Sequence, residues 1–197
     1  MSKINQLIAG VDEVGRGCLA GPVIAAAVIL KAGINLKIIK DSKKLNFNQR
    51  EKIAQHIKKF SFFAIGQASQ SEIDRLNIHH ASLLAMKRAI IKLKKKPEKI
   101  LIDGAFSIKE FKNSQAIIKG DQKIKCISAA SIIAKSYRDT LMIKLSKKFK
   151  NYAWETNFGY GTKSHLMGLK KYGVTLHHRK GFGPVHNILF KQDSKTQ

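Results

Sequence analysis

Acidic residues are scarce in this chain, and their scarcity dominates its composition. The 197 residues include 13 Asp and Glu against 37 Lys and Arg, so the formal net charge is +24 at pH 7. A field of this sign attracts polyanions, and nucleic acid is the first candidate. The alternative is a lysine-rich surface that only keeps the protein soluble. Because the lysines are spread along the whole chain, we expect a broadly positive surface rather than a basic tail.

Cysteine and long apolar runs are also scarce. Cys18 and Cys126 are far apart and lack the spacing of zinc ligands, which argues against both a zinc site and a disulfide framework. The longest apolar run, 23–30, is too short to cross a membrane, and no signal-peptide pattern is present. We therefore expect a cytoplasmic protein that does not associate with membranes.

The order of the predicted elements indicates an α/β protein. Strands are predicted near 7–11, 22–30, 60–69, 99–104 and 114–121, and helices over 45–60, 71–95, 127–145 and 163–172. Asn46 is the predicted N-cap of the first helix, Ser69 and Glu72 fit a capping box, and Thr162 and Gly173 bound the last helix. The pattern predicts a mixed five-stranded sheet flanked by helices. Residues 1–149 would form the main domain, and 150–197 a helical extension that packs on it as part of one functional unit.

Gly10 to Gly17 reads "GVDEVGRG", a pair of acids followed by a glycine-rich turn. Gly15, Gly17 and Ala20 match a dinucleotide-binding spacing, but that motif must open a helix, and here Gly21 leads into a strand-like run. The alternative is a turn whose glycines let the backbone approach a ligand, with Arg16 near a phosphate or a ribose. The sequence is equally compatible with an ordinary turn that carries a solvated arginine.

Four acids follow strand-like runs: Asp12, Glu13, Asp103 and Asp121. Carboxylates gathered at strand ends repel one another unless a cation lies between them. Mg²⁺ prefers oxygen ligands, and two such ions can promote phosphodiester hydrolysis. Adjacent strand residues point to opposite faces, so Asp12 and Glu13 share a site only where the strand ends or if one reaches around. Turn acids that bind no metal are the alternative.

Other polar candidates are weaker. Lys43 in "DSKKL" is near a phosphate or simply solvated, and Tyr160, between two glycines, stacks on a base or sugar or packs in its loop. For His177, His178 and Arg179 we expect surface or phosphate contacts. Asp139 lies within a helix, where an i,i+4 interaction or the capping of a loop is expected.

Taken together, the motifs "GVDEVGRGCLAGPV", "DSKKL", "LNIHHASLLAMKRA", "LIDG", "KGD" with "ISAASIIAKSYRD", "GYGT" and "HHRKGFGPV" closely resemble bacterial ribonuclease HII, from about residue 7 to residue 185. The resemblance implies a ribonuclease H-like fold, cleavage of RNA in RNA–DNA hybrids, and incision 5′ of single ribonucleotides in duplex DNA. The products would carry 3′-hydroxyl and 5′-phosphate ends. One departure is Gly181, where serine is common in the family.

The resemblance also implies roles for individual residues. Asp12, Glu13, Asp103 and Asp121 would bind Mn²⁺ or Mg²⁺, with Asp139 as the competitor of Asp121 for the fourth place. Gly15, Arg16 and Gly17 would read the 2′-hydroxyl, Tyr160 would stack on the next deoxyribose, and Lys43 would lie near the scissile phosphate. The sister type, ribonuclease HIII, usually has an N-terminal domain for which Asp12 comes too early. We expect a monomer, and the tail lacks the aromatic pair of a sliding-clamp motif.

Overall fold

A computed structural model describes residues 6–39 and 45–193 of the chain, with side chains described up to residue 190. The chain divides into two compact units, each made of separate segments. The first unit comprises Met1–Val14, Ile24–Gln67 and Leu83–Ser136, and the second comprises Gly15–Val23, Ala68–Ser82 and Tyr137–Gln197. The division predicted near residue 149 is of a different kind, a catalytic fold plus an extension, and it stays a prediction.

The sheet belongs almost entirely to the first unit and has five strands in the order β3-β2-β1-β4-β5. The strands are β1 (Ile8–Val14), β2 (Val23–Leu30), β3 (Ser61–Ala68), β4 (Lys99–Asp103) and β5 (Ser114–Ile117). β1 pairs antiparallel with β2 and parallel with β4, and β4 pairs parallel with β5. The predicted mixed five-stranded α/β sheet is confirmed.

The helices with described bounds are α1 (Phe47–Lys59), α2 (Gln70–Ile91), α3 (Gly120–Lys123), α4 (Lys125–Ser146), α5 (Trp154–Asn157), α6 (Lys163–Tyr172) and α7 (Gly183–Asp193). Short 3-10 turns lie at Leu36–Ile38 and Lys150–Tyr152. None of the helices within the described part of the chain is long and apolar enough to cross a bilayer.

The capping residues in the sequence correctly predicted where most of the helices begin. Asn46 accepts a hydrogen bond from the Gln49 amide at 2.9 Å, and the Gln49 side chain accepts one from the Asn46 amide at 3.2 Å, which completes a capping box at α1. Thr162 caps α6, and Gly173 ends it with φ of 77°. These predictions are confirmed, because local hydrogen bonds decide them.

The prediction of one uninterrupted helix over 71–95 is wrong. The Ser69–Glu72 cap is present, but α2 is kinked at Asn77, whose φ is 63° and ψ 167°. The Asn77 side chain accepts hydrogen bonds from the amides of His79 (2.9 Å) and His80 (3.2 Å), so it starts a second helical segment. Helical periodicity continues across the kink, which is why the pattern alone did not reveal it.

In the first unit, β1 and the first turns of α4 approach closely. A Cβ atom placed on Gly10 would lie 2.1 Å from the Cys126 carbonyl carbon and 2.3 Å from the Ile127 nitrogen. Only glycine allows this approach, which aligns β1, the strand of Asp12, beside α4, the helix of Ser131.

Candidate active site

Asp12 and Glu13 lie within β1, opposite Ala26 and Ala25 of β2, and just past the last residue of β1 that pairs with β4. Asp12 is 5% exposed, whereas Glu13 is half-buried. The Glu13 amide donates a hydrogen bond to Asp12 Oδ1 at 2.7 Å. Both acids therefore lie beyond the part of β1 that pairs with β4 but inside β1 itself, which continues to Val14 beside β2. The prediction that the first strand ends before Asp12 is wrong, because pairing with β2 extends it.

Asp103 and Asp121 lie together in the same unit. Asp103 is the last residue of β4, and its Oδ1 accepts hydrogen bonds from the amides of Gly120 (2.6 Å) and Asp121 (3.3 Å). The sequence placed Asp121 at a strand end; instead β5 stops at Ile117, and Asp121 is the second residue of α3. Ser128 donates a hydrogen bond to the Asp121 carbonyl, which ties α3 to the start of α4.

The environment of Asp12 disfavours its charge. Burial raises the pKa of Asp12 well above its ordinary value, and the charges of Glu13 and Asp103 raise it further. A hydrogen bond from the Ser131 side chain acts in the opposite direction. Three carboxylates are therefore close enough to repel one another around a buried position, and a bound cation would offset that repulsion.

The acids of this region are spread over β1, β4 and α3. Within residues 6–39 and 45–193, no group of three or more His, Cys, Asp or Glu side chains is gathered closely enough to bind a metal ion. Mg²⁺, however, commonly takes one or two protein carboxylates and completes its shell with waters and substrate phosphates. The oxygen donors of Asp12 and Asp103 fit that kind of site.

The glycine-rich turn opens the second unit. Arg16 and Gly17 are exposed, whereas Gly15 is buried with φ of 91°. A Cβ atom on Gly15 would lie 2.1 Å from Arg138 Nε, so no other residue fits there without displacing the guanidinium. The turn is thus an exposed loop on a tightly packed base.

Tyr160 lies beside this turn. A Cβ atom on Gly17 would be 3.9 Å from the Tyr160 ring, which is 40% exposed. The loop is held by Asn157, whose side chain donates to the Tyr152 carbonyl (2.7 Å) and accepts from the Gly159 amide (2.8 Å). The structure therefore brings together two of the elements that the sequence singled out, the turn and the tyrosine.

The expectation of surface or phosphate contacts is wrong for His178 and Arg179. His178 is 1% exposed and Arg179 is fully buried. Arg179 donates to the carbonyls of Gly15 (2.6 Å), Arg16 (2.8 Å) and Gly21 (2.9 Å). Sequence cannot tell a buried cation from a solvated one when its partners are backbone carbonyls more than 150 residues away.

Two histidines form a buried network behind the tyrosine loop. The Trp154 indole N–H donates to His165 Nε2 at 3.0 Å, so His165 Nδ1 carries the proton and donates to the Tyr160 carbonyl at 2.9 Å. The Thr175 amide donates to His178 Nδ1 at 2.9 Å, so His178 Nε2 donates to His165 Nε2 at 3.1 Å. Burial, with the nearby His165, lowers the pKa of His178 to about 3. Both rings are structural and neutral rather than metal ligands.

Lys43 and Asp139 are the two remaining candidate residues. Lys43 lies outside the described residues. Asp139 is fully buried in α4, in the second unit, where its charge contributes to the raised pKa of Tyr160, after burial and Cys18.

Sequence reasoning missed Arg138 and Ser131. Arg138 is fully buried and continues at four-residue spacing the buried stripe of Ala130, Ala134 and Met142. A charged residue on an otherwise apolar helix stripe was the signal that could have found it.

Comparison with known proteins is consistent with this architecture. Residues 9–191 match the family model of ribonuclease HII. The chain is 58% identical over 186 residues to ribonuclease HII of Pelagibacter ubique strain HTCC1062, covering 93% of this chain and all of that protein. Among solved structures, it is similar to ribonuclease H2 of Pyrococcus horikoshii OT3 (26% identity, TM-score 0.79, 93% of this chain and 97% of that one). It is also similar to ribonuclease HII of Archaeoglobus fulgidus in its complex with PCNA (27% identity, TM-score 0.79, 90% and 95%).

Proposed function

The chain belongs to the ribonuclease HII family, a family of endonucleases, and from that premise we propose a specific activity for it. It cleaves the RNA strand of RNA–DNA hybrids and incises duplex DNA on the 5′ side of a single embedded ribonucleotide. The products carry 3′-hydroxyl and 5′-phosphate ends. The observation that carries the proposal is the buried carboxylate of Asp12, set among the charges of Glu13 and Asp103.

Asp12, Glu13, Asp103 and Asp121 would hold Mg²⁺ or Mn²⁺. Two such ions, when bound, lower the pKa of an attacking water and stabilise the leaving oxygen of a phosphodiester. The protein's part is to hold the acids in place. Ser131 hydrogen-bonds the Asp12 carboxylate, and the amides of Gly120 and Asp121 fix the Asp103 carboxylate. The position of Asp121 next to Asp103 supports it, rather than Asp139, as the fourth acid.

Sugar recognition is assigned to the second unit. The 2′-hydroxyl is the group that distinguishes ribose from deoxyribose, so it must be contacted directly. The turn at Arg16 and Gly17 suits such a contact, because both residues are exposed and Gly17 has no side chain to block approach. Tyr160, exposed beside Gly17, would stack on the neighbouring deoxyribose. Lys43 would lie near the scissile phosphate.

Substitution of the acids tests the metal assignment. Asp12→Asn and Asp103→Asn should each abolish Mg²⁺-dependent nicking of a duplex with one ribonucleotide, because each removes a charged oxygen ligand. Duplex binding should survive, since neither change removes a cation. Glu110→Gln is the matched control: this exposed acid pairs with Lys87 at 2.6 Å, and its loss should leave nicking unchanged. Full activity of either aspartate variant would refute the assignment.

A nucleic-acid-binding protein without catalytic activity is the remaining alternative, and the charge of +24 suits it equally well. It leaves the repelling acids around Asp12 unexplained. Such a protein would bind the duplex and cut nothing with Mg²⁺ or Mn²⁺ present.

A further inference from the structure

Two buried arginine side chains donate hydrogen bonds to backbone carbonyls of residues 15–22. Arg179 donates from Nη2, Nη1 and Nε to the carbonyls of Gly15, Arg16 and Gly21, at 2.6, 2.8 and 2.9 Å. Its own amide donates to the Leu19 carbonyl at 2.9 Å. One side chain therefore fixes carbonyls at both ends of this segment.

Arg138 repeats the arrangement from α4. It donates from Nε to the Pro22 carbonyl (3.0 Å), from Nη2 to Ala20 (2.9 Å) and from Nη1 to Phe158 (2.7 Å). The Phe158 carbonyl belongs to the loop that carries Tyr160. The turn and the tyrosine loop are thus tied to the same guanidinium.

Burying a charged group costs free energy unless it is hydrogen-bonded, and here two neighbouring arginines are both fully buried. Burial and the neighbouring Arg138 lower the pKa of Arg179 to about 10. The planar fork of arginine can orient several carbonyls at fixed angles, which a lysine cannot do. The arrangement therefore points to a need for a defined backbone geometry in the turn.

The geometry of the turn follows from the carbonyl directions. In a trans peptide the N–H points opposite to the C=O. Because the Gly15 and Arg16 carbonyls point at Arg179, the amides of Arg16 and Gly17 point away from it. Both residues are exposed, and the peptide geometry directs these two amides to the side of the turn opposite Arg179.

We propose that Arg179 and Arg138 are positioning residues for sugar selection, which hold the amides of Arg16 and Gly17 in the direction that meets a 2′-hydroxyl. The inference rests on the proposed function, because it deepens the role given there to the turn. Asp74 accepts hydrogen bonds from the amides of Lys180 (3.1 Å) and Gly181 (2.9 Å). These two bonds anchor the backbone next to Arg179 and so help to hold its side chain in position.

Conservative substitution separates positioning from simple stability. In Arg179→Lys and Arg138→Lys, we expect the preference for a duplex with one ribonucleotide over the all-DNA duplex to fall by about tenfold or more, while affinity for the all-DNA duplex stays the same. Arg50→Lys is the matched control: Arg50 is also buried and donates to a carbonyl, that of Leu45 at 3.0 Å, but lies in α1. Its preference should equal that of the unmodified protein. An unchanged preference in a folded Arg179→Lys variant would overturn the inference.

Chemical rescue gives a second readout. Nicking by Arg179→Ala should recover in part with millimolar guanidinium but not with ammonium, because only the planar cation restores the carbonyl geometry. Equal recovery with both cations would contradict a positioning role.

A measurement on the unmodified protein avoids any folding defect of the variants. Amide hydrogen exchange at Arg16 and Gly17 should slow more in the complex with the ribonucleotide duplex than in the complex with the all-DNA duplex. Equal exchange in the two complexes would overturn the inference whatever the variants do. If the unmodified protein nicks the ribonucleotide duplex but the variants keep its preference, the inference alone fails. If it nicks nothing, the proposed function fails first.

Discussion

At the scale of single residues, the main feature is that polar groups are buried where they cost stability. Asp12 is buried beside two other acids, and Arg138 and Arg179 are buried side by side. The burial of these three side chains could not be predicted from the sequence, because it depends on segments that are distant along the chain. Asp103 at the end of β4 was predictable from a local pattern, whereas Asp12 and Glu13 lie inside β1 and Asp121 lies in α3. The sequence therefore indicated the acids as candidates, and their role as metal ligands stays a prediction.

Asp12→Asn should make the metal-free protein more stable at neutral pH. When the pKa of a carboxyl group is raised by folding, the protein loses stability as the pH rises through that raised pKa. Removing the charge is therefore favourable at a pH above the raised pKa. We expect an increase in melting temperature of roughly 2–4 °C for each kcal/mol gained. Calorimetry at pH 7 in EDTA should show the gain, and the difference should shrink as the pH falls toward the ordinary carboxyl pKa of 3.8. A lower melting temperature at pH 7 would show that Asp12 is not destabilised by its neighbours.

His178 should make the protein less stable in mild acid. Its pKa of about 3 in the folded state lies below the ordinary 6.5, so the unfolded chain takes up a proton that the folded chain cannot. The contribution of neutral His178 to the free energy of unfolding is complete above pH 6.5. It falls by roughly 1 kcal/mol per pH unit as the pH drops toward the pKa of the folded state. Unfolding by urea from pH 7 to 5 should show a shallower pH dependence in His178→Gln than in the unmodified protein. His186→Gln, on the surface of α7, is the control and should keep the original dependence.

At the scale of elements, the local rules succeeded where hydrogen bonds within a few residues decide the structure. The caps at Asn46, Ser69 and Thr162 were predicted because their partners are three residues away. The kink at Asn77 was not, because a backbone conformation at φ of 63° that is rare outside glycine breaks no hydrophobic period. The start of α3 at Gly120 was missed as well, since a four-residue helix is too short to show a hydrophobic period.

Gly10→Ala tests the approach of β1 and α4. The added methyl would overlap backbone atoms of Cys126 and Ile127, which cannot rotate away. We expect a loss of about 1–3 kcal/mol or more, as for overpacked cores, and thus a melting temperature several degrees lower. Gly183→Ala is the control, because a Cβ atom there meets nothing within 4 Å. Equal melting temperatures for the two variants would contradict the described contact.

At the scale of the whole molecule, the net charge of +24 is combined with a buried acid, Asp12, that lies near the charges of Glu13 and Asp103. The family match covers residues 9–191, and the excess of Lys and Arg is a property of this chain's composition. Two explanations stay distinguishable by experiment, phosphate binding and solubility alone.

Salt dependence separates those two explanations. Each phosphate neutralised by a cation releases counterions, so binding through six to ten contacts weakens by about 10³–10⁵ between 50 and 200 mM salt. We expect a loss of at least about 10³ for an all-DNA duplex without metal, measured by fluorescence anisotropy. Affinity that hardly changes over this range would mean that the lysines serve solubility and not duplex binding.

The central claim is metal-dependent incision at a ribonucleotide, and one measurement tests it most directly. A duplex with a single ribonucleotide, labelled at the 5′ end of that strand, is incubated with the unmodified protein in Mg²⁺, in Mn²⁺ and in EDTA. We predict one cut on the 5′ side of the ribonucleotide, leaving a 3′-hydroxyl, with either metal, and none in EDTA or in the all-DNA duplex. Binding without a cut in either metal, or an equal cut in EDTA, would contradict the account.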